Sequence, residues 1–357
     1  MGIDYINDPK TPEIFGMKRY QKEIHERLQC RLNVIEYPQL KTKIKCIDII
    51  NYLAYRYLVY PFLIKLKTKK GNIKHITSQD LGYLLKLLKL KKTIVTCYDL
   101  IPWIYEKNRS FIWKHNMAGL KKADRIITIS KFSKNEIIKY LGYPENRIYI
   151  IYPAVNHDHY YRKRDREILK KHDILENEKI ILYVGSEMPR KNIPFLIKAF
   201  AKLKNMLPDI KLFKIGSPQW PGARKELLKL REKLKLQKDV IFIGYALEEE
   251  LPRWYNAADL FIFPSFYEGF GLPPLEAMAC GTPVITSNTS SLPEVVGDAG
   301  IMIDPYDVDG LAKVMYEVLT NDSLREDMIK KGLKRAKMFS WKESAEKILK
   351  VYKDMSE

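Results

Sequence analysis

Short runs rich in Ile, Val, Leu and Phe recur along this chain, each followed by a stretch where apolar residues return every third or fourth position. The first pattern predicts strands buried on both faces, and the second predicts amphipathic helices. Strand-like runs fall near 1–6, 93–97, 125–129 and 148–152, with helical stretches such as 18–29, 81–91 and 132–141 between them. A second series begins with the strand Lys-Ile-Ile-Leu-Tyr-Val at 179–184. It continues through a helix at 194–207, a strand at 210–215, a helix at 222–235 and a strand at 240–243. Short helices near 247–257 then lead to a strand at 260–263. This alternation predicts α/β architecture with parallel sheets covered on both faces, and two series predict two doubly wound domains. They part within 153–178, a polar stretch that starts at Pro153 and contains Tyr-Arg-Lys-Arg-Asp-Arg. A length of 357 residues suits two cores better than one. Near the end, Ser340 and Glu343 have capping-box spacing, and Trp341, Ala345, Ile348 and Tyr352 form a helical stripe that needs a partner.

The most informative chemistry lies at 261–285. A buried-type strand runs into a glycine-broken loop, then a helix opened by Pro273 and Pro274, then a second strand. The amides of Phe270, Gly271 and Leu272 fall at the positive end of that helix, a place suited to a diphosphate. Glu268 and Glu276 bracket the loop, the second within the helix's first turn. Ionised carboxylates accept hydrogen bonds from hydroxyls, so the pair suits a polyhydroxylated ligand.

This stretch resembles the Glu-(x)7-Glu signature of retaining glycosyltransferases of family four, which have the GT-B fold of two Rossmann-like doubly wound domains facing a central cleft. The flanking Pro-Ser before it and Ala-Met-Ala-Cys-Gly-Thr-Pro-Val after it match as well. The resemblance implies an acceptor-binding domain at 1–160 and a nucleotide-sugar-binding domain at 161–340. It also implies a final helix at 341–357 that packs back on the first domain. It places Glu268 on the transferred sugar and Glu276 on the nucleotide ribose. Tyr-Val-Gly-Ser-Glu-Met-Pro-Arg-Lys-Asn at 183–192 is a second family-like element, ending where Asn192 can cap a helix. Lys191 matches the family's lysine, whereas Arg190 substitutes for an arginine whose usual place holds Ser186.

Weaker matches lie in the first half. Phe-Gly-Met-Lys-Arg-Tyr at 15–20 resembles a loop of some relatives, in which Gly16 would let backbone approach the diphosphate. In Val-Thr-Cys-Tyr-Asp at 95–99, Tyr98 stands where the family usually has histidine, and Asp99 matches. Both are candidates for the donor site, as is Tyr245 beside the segment that receives the nucleotide base. Ser130 reads as a cap or a cleft residue, and Asp99 as a turn cap or a cleft residue. Asp307-Val308-Asp309 reads as turn and cap chemistry.

Net charge changes the picture of partners. Of the total +19, the first 160 residues hold +15, and 41–92 hold thirteen basic residues against Asp48 and Asp80. Aromatic residues Tyr52, Tyr55, Tyr57, Tyr60 and Phe62 interleave there. That combination suits an anionic membrane surface, a solvated basic face, or nucleic acid. Arg56, Pro61 and Asn51 interrupt the apolar run 47–64 and argue against a membrane span. The four cysteines are scattered with no CxxC pair, so neither zinc nor a disulfide framework is indicated. The strand-like N-terminus without a leader pattern predicts a cytoplasmic protein, and the basic aromatic stretch 41–92 suggests a peripheral place on the cytoplasmic membrane face.

The expectation is a metal-independent, retaining hexosyltransferase, without cofactor, using a nucleotide-diphosphate sugar and a glycan or lipid-linked acceptor. Lys191, Arg190 and the 270–272 amides would take up charge on the leaving diphosphate. Alternatives are the same chemistry on a soluble acceptor, a basic nucleic-acid-binding protein, and an inactive GT-B scaffold.

Overall fold

The computed structural model describes residues 1–7, 16–28, 30–36, 52–172, 174–175 and 177–357. The chain forms two compact units, Met1–Pro153 with Trp341–Glu357, and Ala154–Ser340. The boundary thus falls before residue 160, because Ala154, Val155 and Tyr160 are buried core of the second unit.

In the first unit the strands are β1 (Gly2–Ile6), β2 (Arg31–Ile35), β3 (Ile73–Ile76), β4 (Thr93–Cys97), β5 (Arg125–Thr128) and β6 (Ile148–Ile150). They form one parallel sheet in the order β2-β1-β3-β4-β5-β6. The reversal of strand order lies between β1 and β3, the point where doubly wound sheets open a crevice.

The second unit has β7 (Lys179–Val184), β8 (Ile210–Ile215), β9 (Val240–Gly244), β10 (Leu260–Phe263), β11 (Val284–Ser287) and β12 (Ile301–Ile303). Its order, β12-β11-β10-β7-β8-β9, is the Rossmann order, with the switch between β7 and β10. Every side chain of β10 is fully buried, as a central parallel strand requires.

The helix Trp341–Ser356 belongs to the first unit. Its buried stripe meets that unit's sheet: the Tyr352 hydroxyl lies 2.6 Å from His75 Nδ1 on β3. His75 Nε2 lies 2.8 Å from Thr96 Oγ1 on β4, and Ser344 Oγ donates to the Tyr152 carbonyl at 2.7 Å. Trp341 packs edge-on against Tyr20.

One predicted helix is cut to a single short turn. Residues 81–91 fold as a single 3-10 turn, Gln79–Leu81, and a short helix, Leu84–Leu87, with Leu88 already extended. Gly82 lies against the Asn116 carbonyl, so the chain is shaped by that close approach and not by helix periodicity. Residues 41–51 of the basic stretch lie outside the described residues. No helix among the described residues is long and apolar enough to cross a membrane.

Candidate active site

The site stands at the carboxyl ends of β7 and β10, beside the switch point of the second sheet. The loop after β7 delivers Arg190 and Lys191 on a 3-10 turn, Pro189–Lys191. The loop after β10 delivers Glu268. Lys191 Nζ donates to Glu268 Oε1 at 2.7 Å, and Arg190 Nη1 donates to Oε2 at 3.0 Å. Arg190 Nη1 also reaches the Tyr267 carbonyl at 3.0 Å, and its own carbonyl accepts the Phe266 amide at 2.8 Å. The two loops are therefore joined by side chains and backbone together. The Lys191 ammonium also lies 4.8 Å above the Phe263 ring.

Glu268 and Lys191 are both buried. Burial alone would push the Glu268 carboxyl up. The Lys191 and Arg190 charges outweigh it and hold the group below the usual carboxylate range. Two cations against one carboxylate leave a local surplus of positive charge at the end of the sheet.

The helix after the loop is Leu272–Ala279. Gly271 precedes it at φ 124°, and a Cβ there would stand 2.8 Å from Leu292 Cδ2, so the turn needs glycine. Prolines at 273 and 274 have no N–H, which leaves Leu272 and Leu275 as the amide donors of the first turn. Glu276 sits on the second turn, not the first, because the helix begins only at Leu272. It is buried, and its Oε2 accepts from the Tyr255 hydroxyl at 2.8 Å. Phe270 turns its ring inward against Phe339.

A hydroxyl cradle that the sequence reading missed fixes this loop. Ser290 Oγ accepts the Glu268 amide at 3.0 Å. Ser291 Oγ donates to the carbonyls of Glu268 at 2.9 Å and Phe270 at 2.7 Å. Ser287 and Thr289 both donate to the Ser265 carbonyl. Ser290 adopts φ 55°, a left-handed conformation uncommon for a residue with a side chain. The signal was the run Thr-Ser-Asn-Thr-Ser-Ser at 286–291, which begins in the last two residues of β11 and continues beyond it.

Other candidates fall elsewhere. Asn192 occupies the cap position of the helix Ile193–Met206 without a side-chain cap bond. Its backbone is left-handed, and its Nδ2 donates to the Pro305 carbonyl at 2.9 Å. Tyr245 follows β9 and is half exposed. Gly16, Tyr98 and Asp99 belong to the first unit. Gly16 opens the helix Gly16–Arg27 after β1. Tyr98 is buried, its amide on Gln79 Oε1 at 3.1 Å and its ring edge-on to Tyr20. Asp99 Oδ1 accepts the Ile101 amide at 3.0 Å, a turn-closing bond. Ser130 caps the helix Lys131–Glu136 through the Ser133 amide, and Asp307 caps Val308–Thr320 through Gly310. Among the described residues no cluster of three His, Cys, Asp or Glu side chains converges as a metal site requires.

Comparison with known proteins places this geometry. The family model described as glycosyl transferases group 1 matches residues 164–335, and the model described as Glycosyltransferase Family 4 matches 27–159. The O-antigen chain mannosyltransferase B of Escherichia coli is 38% identical over 272 residues, 74% of this chain and 71% of that protein. Among solved structures, sucrose-phosphate synthase from Thermosynechococcus elongatus matches with TM-score 0.82 at 21% identity, covering 99% of this chain and 98% of that one. HepE from Anabaena, in complex with UDP and glucose, matches with TM-score 0.84 at 16% identity, covering 99% and 100%. At those identities the structures speak for the fold alone. With the Escherichia coli relative matched over more than two thirds of its length, the chain belongs to the glycosyl transferases group 1 family and is a glycosyltransferase of the GT-B fold.

Proposed function

We propose that the protein is a retaining, metal-independent hexosyltransferase that moves a hexose from a nucleotide-diphosphate sugar to a glycan or lipid-linked acceptor at a membrane surface. The observation that carries this reading is Glu268 held between Lys191 and Arg190 at the switch point of the second sheet. Breaking the bond between the anomeric carbon and the diphosphate puts negative charge on the phosphate. Preorganised cations there lower the barrier without reorganising. Lys191 and Arg190 supply them, Glu268 orients the sugar hydroxyls, and Glu276 takes the ribose. The Phe270, Gly271 and Leu272 amides face the phosphates, and Tyr245 lies beside the base.

Retention follows from same-face attack. The acceptor oxygen bonds to the anomeric carbon as the phosphate oxygen leaves, and that oxygen takes the acceptor's proton. The name of the Escherichia coli relative supports mannosyl transfer.

Support for membrane proximity comes from one helical face. Leu58, Phe62 and Leu66 are 70%, 61% and 64% exposed at four-residue spacing. Exposed Lys65, Lys67, Lys69 and Lys70 flank them. Apolar residues that insert and lysines that meet anionic headgroups are the two parts of an interfacial anchor.

The test is release of nucleotide diphosphate from a panel of GDP, UDP and ADP sugars by wild type and Glu268→Ala. Cleavage of at least one donor by wild type, lost in the variant, is expected. A wild type inert to the whole panel overturns the proposal.

A further inference from the structure

A second charged cluster lies at the end of β8, where Glu187 comes from the same loop after β7 that carries Arg190 and Lys191. Lys214 on β8 is 1% exposed, and its Nζ donates to Glu187 Oε1 at 2.8 Å. It also donates to the Gly216 carbonyl at 2.6 Å. Arg224 donates to the same Glu187 oxygen through Nε at 2.8 Å and through Nη2. The other oxygen, Oε2, is buried and makes no hydrogen bond.

Such a cluster is poor economy for folding. Buried ion pairs replaced by well-packed apolar residues are often neutral or stabilising, and a buried acceptor without a donor is a cost. What the cluster accomplishes is to immobilise Arg224. That guanidinium also lies 4.8 Å over the Phe242 ring. Its side chain nonetheless remains 28% exposed. A guanidinium carries five N–H donors in a fixed fork, so bonding through Nε and Nη2 leaves Nη1 for another acceptor.

Arg224 lines a surface depression of about 900 Å³ together with Pro218, Trp220, Lys225, Lys229 and Glu232. Trp220 is 46% exposed between two prolines. The loop that carries it leaves β8 through Gly216 at φ 119°, where a Cβ would collide with the Gly185 carbonyl at 2.2 Å. Trp220 is thus a large aromatic face held in the open beside a fixed guanidinium and two lysines, with Glu232 the one acid on the rim.

We propose that this depression is a binding subsite for an anionic saccharide: the sugar ring rests on Trp220, and its carboxylate or phosphate is bound by Arg224. Glu187 and Lys214 are positioning residues for Arg224. The choice of a saccharide as ligand rests on the function proposed above. The binding chemistry itself rests on the residues at this depression.

The experiment is a tryptophan-fluorescence titration of the full chain with glucose 6-phosphate, glucuronate, glucose and inorganic phosphate, with Trp220→Phe as reporter control. Saturable changes with both anionic sugars are expected, lost in Trp220→Phe, with glucose and inorganic phosphate each at least tenfold weaker. Arg224→Gln should remove the preference for the anionic sugars over glucose, and Arg224→Lys should keep part of it. Glu187→Gln should weaken anionic sugars while Trp220 still reports glucose at high concentration. UDP or GDP should not displace the sugars. Equal response to glucose and glucose 6-phosphate, no saturable response, or displacement by nucleotide overturns the inference. Donor cleavage measured in parallel separates the two readings. A protein that cleaves a nucleotide sugar but ignores anionic saccharides loses this subsite alone, and one that binds them but cleaves no donor loses the function proposed above.

Discussion

The Lys191 ammonium and the Glu268 carboxylate lie 2.7 Å apart, both buried, although 77 positions separate them in the chain. The pair joins the loop after β7 to the loop after β10 at the one place where the second sheet reverses its strand order. Each partner neutralises the burial cost of the other, and neither tolerates solitude.

The first prediction follows from that dependence. Lys191→Met or Glu268→Gln alone should cost about 3–5 kcal/mol in stability, the typical cost of orphaning one member of a buried pair. Lys191→Met combined with Glu268→Gln should cost less than the sum of the two single replacements. Urea unfolding of the four proteins makes the cycle. Additive losses would mean that the pair is not coupled. Each single variant should also lose at least about a hundredfold in donor turnover.

Acid should destabilise the protein in two stages. His75 is buried and neutral, with burial pushing its imidazole down to about 3. In the unfolded chain the same group titrates near about 6.5. As pH falls below that, the unfolded chain takes up a proton that the folded chain refuses, so stability declines by about 1.4 kcal/mol per pH unit until the folded value is reached. Glu268 acts later. Its folded value is depressed, so its contribution is complete above the unfolded value and is lost as pH falls through the folded one. Urea midpoints between pH 7 and pH 4 should therefore fall more steeply in wild type than in His75→Gln. Equal slopes would place the proton uptake elsewhere.

Ser291 offers a test of the cradle. Its hydroxyl serves the carbonyls on both sides of the Glu268 turn, and the residue is fully buried. Ser291→Ala should cost about 1–3 kcal/mol, the range for leaving buried acceptors unmet. Because the turn positions Glu268, turnover should fall with the melting transition still cooperative. Ser291→Thr, which keeps the hydroxyl, should recover most of the turnover. Failure of Thr to rescue would make the residue's role one of size alone.

The sheets of the second unit could be read from the chain because β10 is a continuous apolar run, β7 is one after Lys179, and β8 is apolar at four of its six positions. β3 escaped because Lys74 and His75 break its apolar run. Only the fold shows that His75 is satisfied by Tyr352, 277 positions away. The stretch 81–91 misled in the opposite direction. Its leucines have helical spacing, but the close approach of Gly82 to Asn116 overrides local preference. At the site, Glu268, Arg190 and Lys191 were legible because motif residues carry their chemistry in their type and spacing. The hydroxyls of 287–291 were not, since a run of Ser, Thr and Asn reads as any turn. Lys214 and Glu187 were invisible for a related reason: a lysine in a strand looks solvent-facing until its partner is found on the neighbouring loop.

The basic, apolar face of the first unit yields the last prediction. Leu58, Phe62 and Leu66 fall at four-residue spacing on consecutive helical turns, and Tyr60 and Ile64 of the same stretch are buried. The stretch therefore already has a packed side, and the three exposed residues are not needed for it. Leu58→Ser, Phe62→Ser and Leu66→Ser together should leave the melting temperature nearly unchanged while reducing sedimentation with phosphatidylglycerol vesicles. Replacing Lys65, Lys67, Lys69 and Lys70 with Gln should weaken binding by about 1 kcal/mol per charge removed near the surface. That part of the binding should disappear at high salt, because exposed charges are screened within about 10 Å at 0.1 M. The apolar part should persist. Nucleic acid would behave differently: binding would be lost with the lysines and with salt but would be indifferent to the three apolar replacements. Vesicle binding that ignores both sets of changes would leave this face a solvated surface.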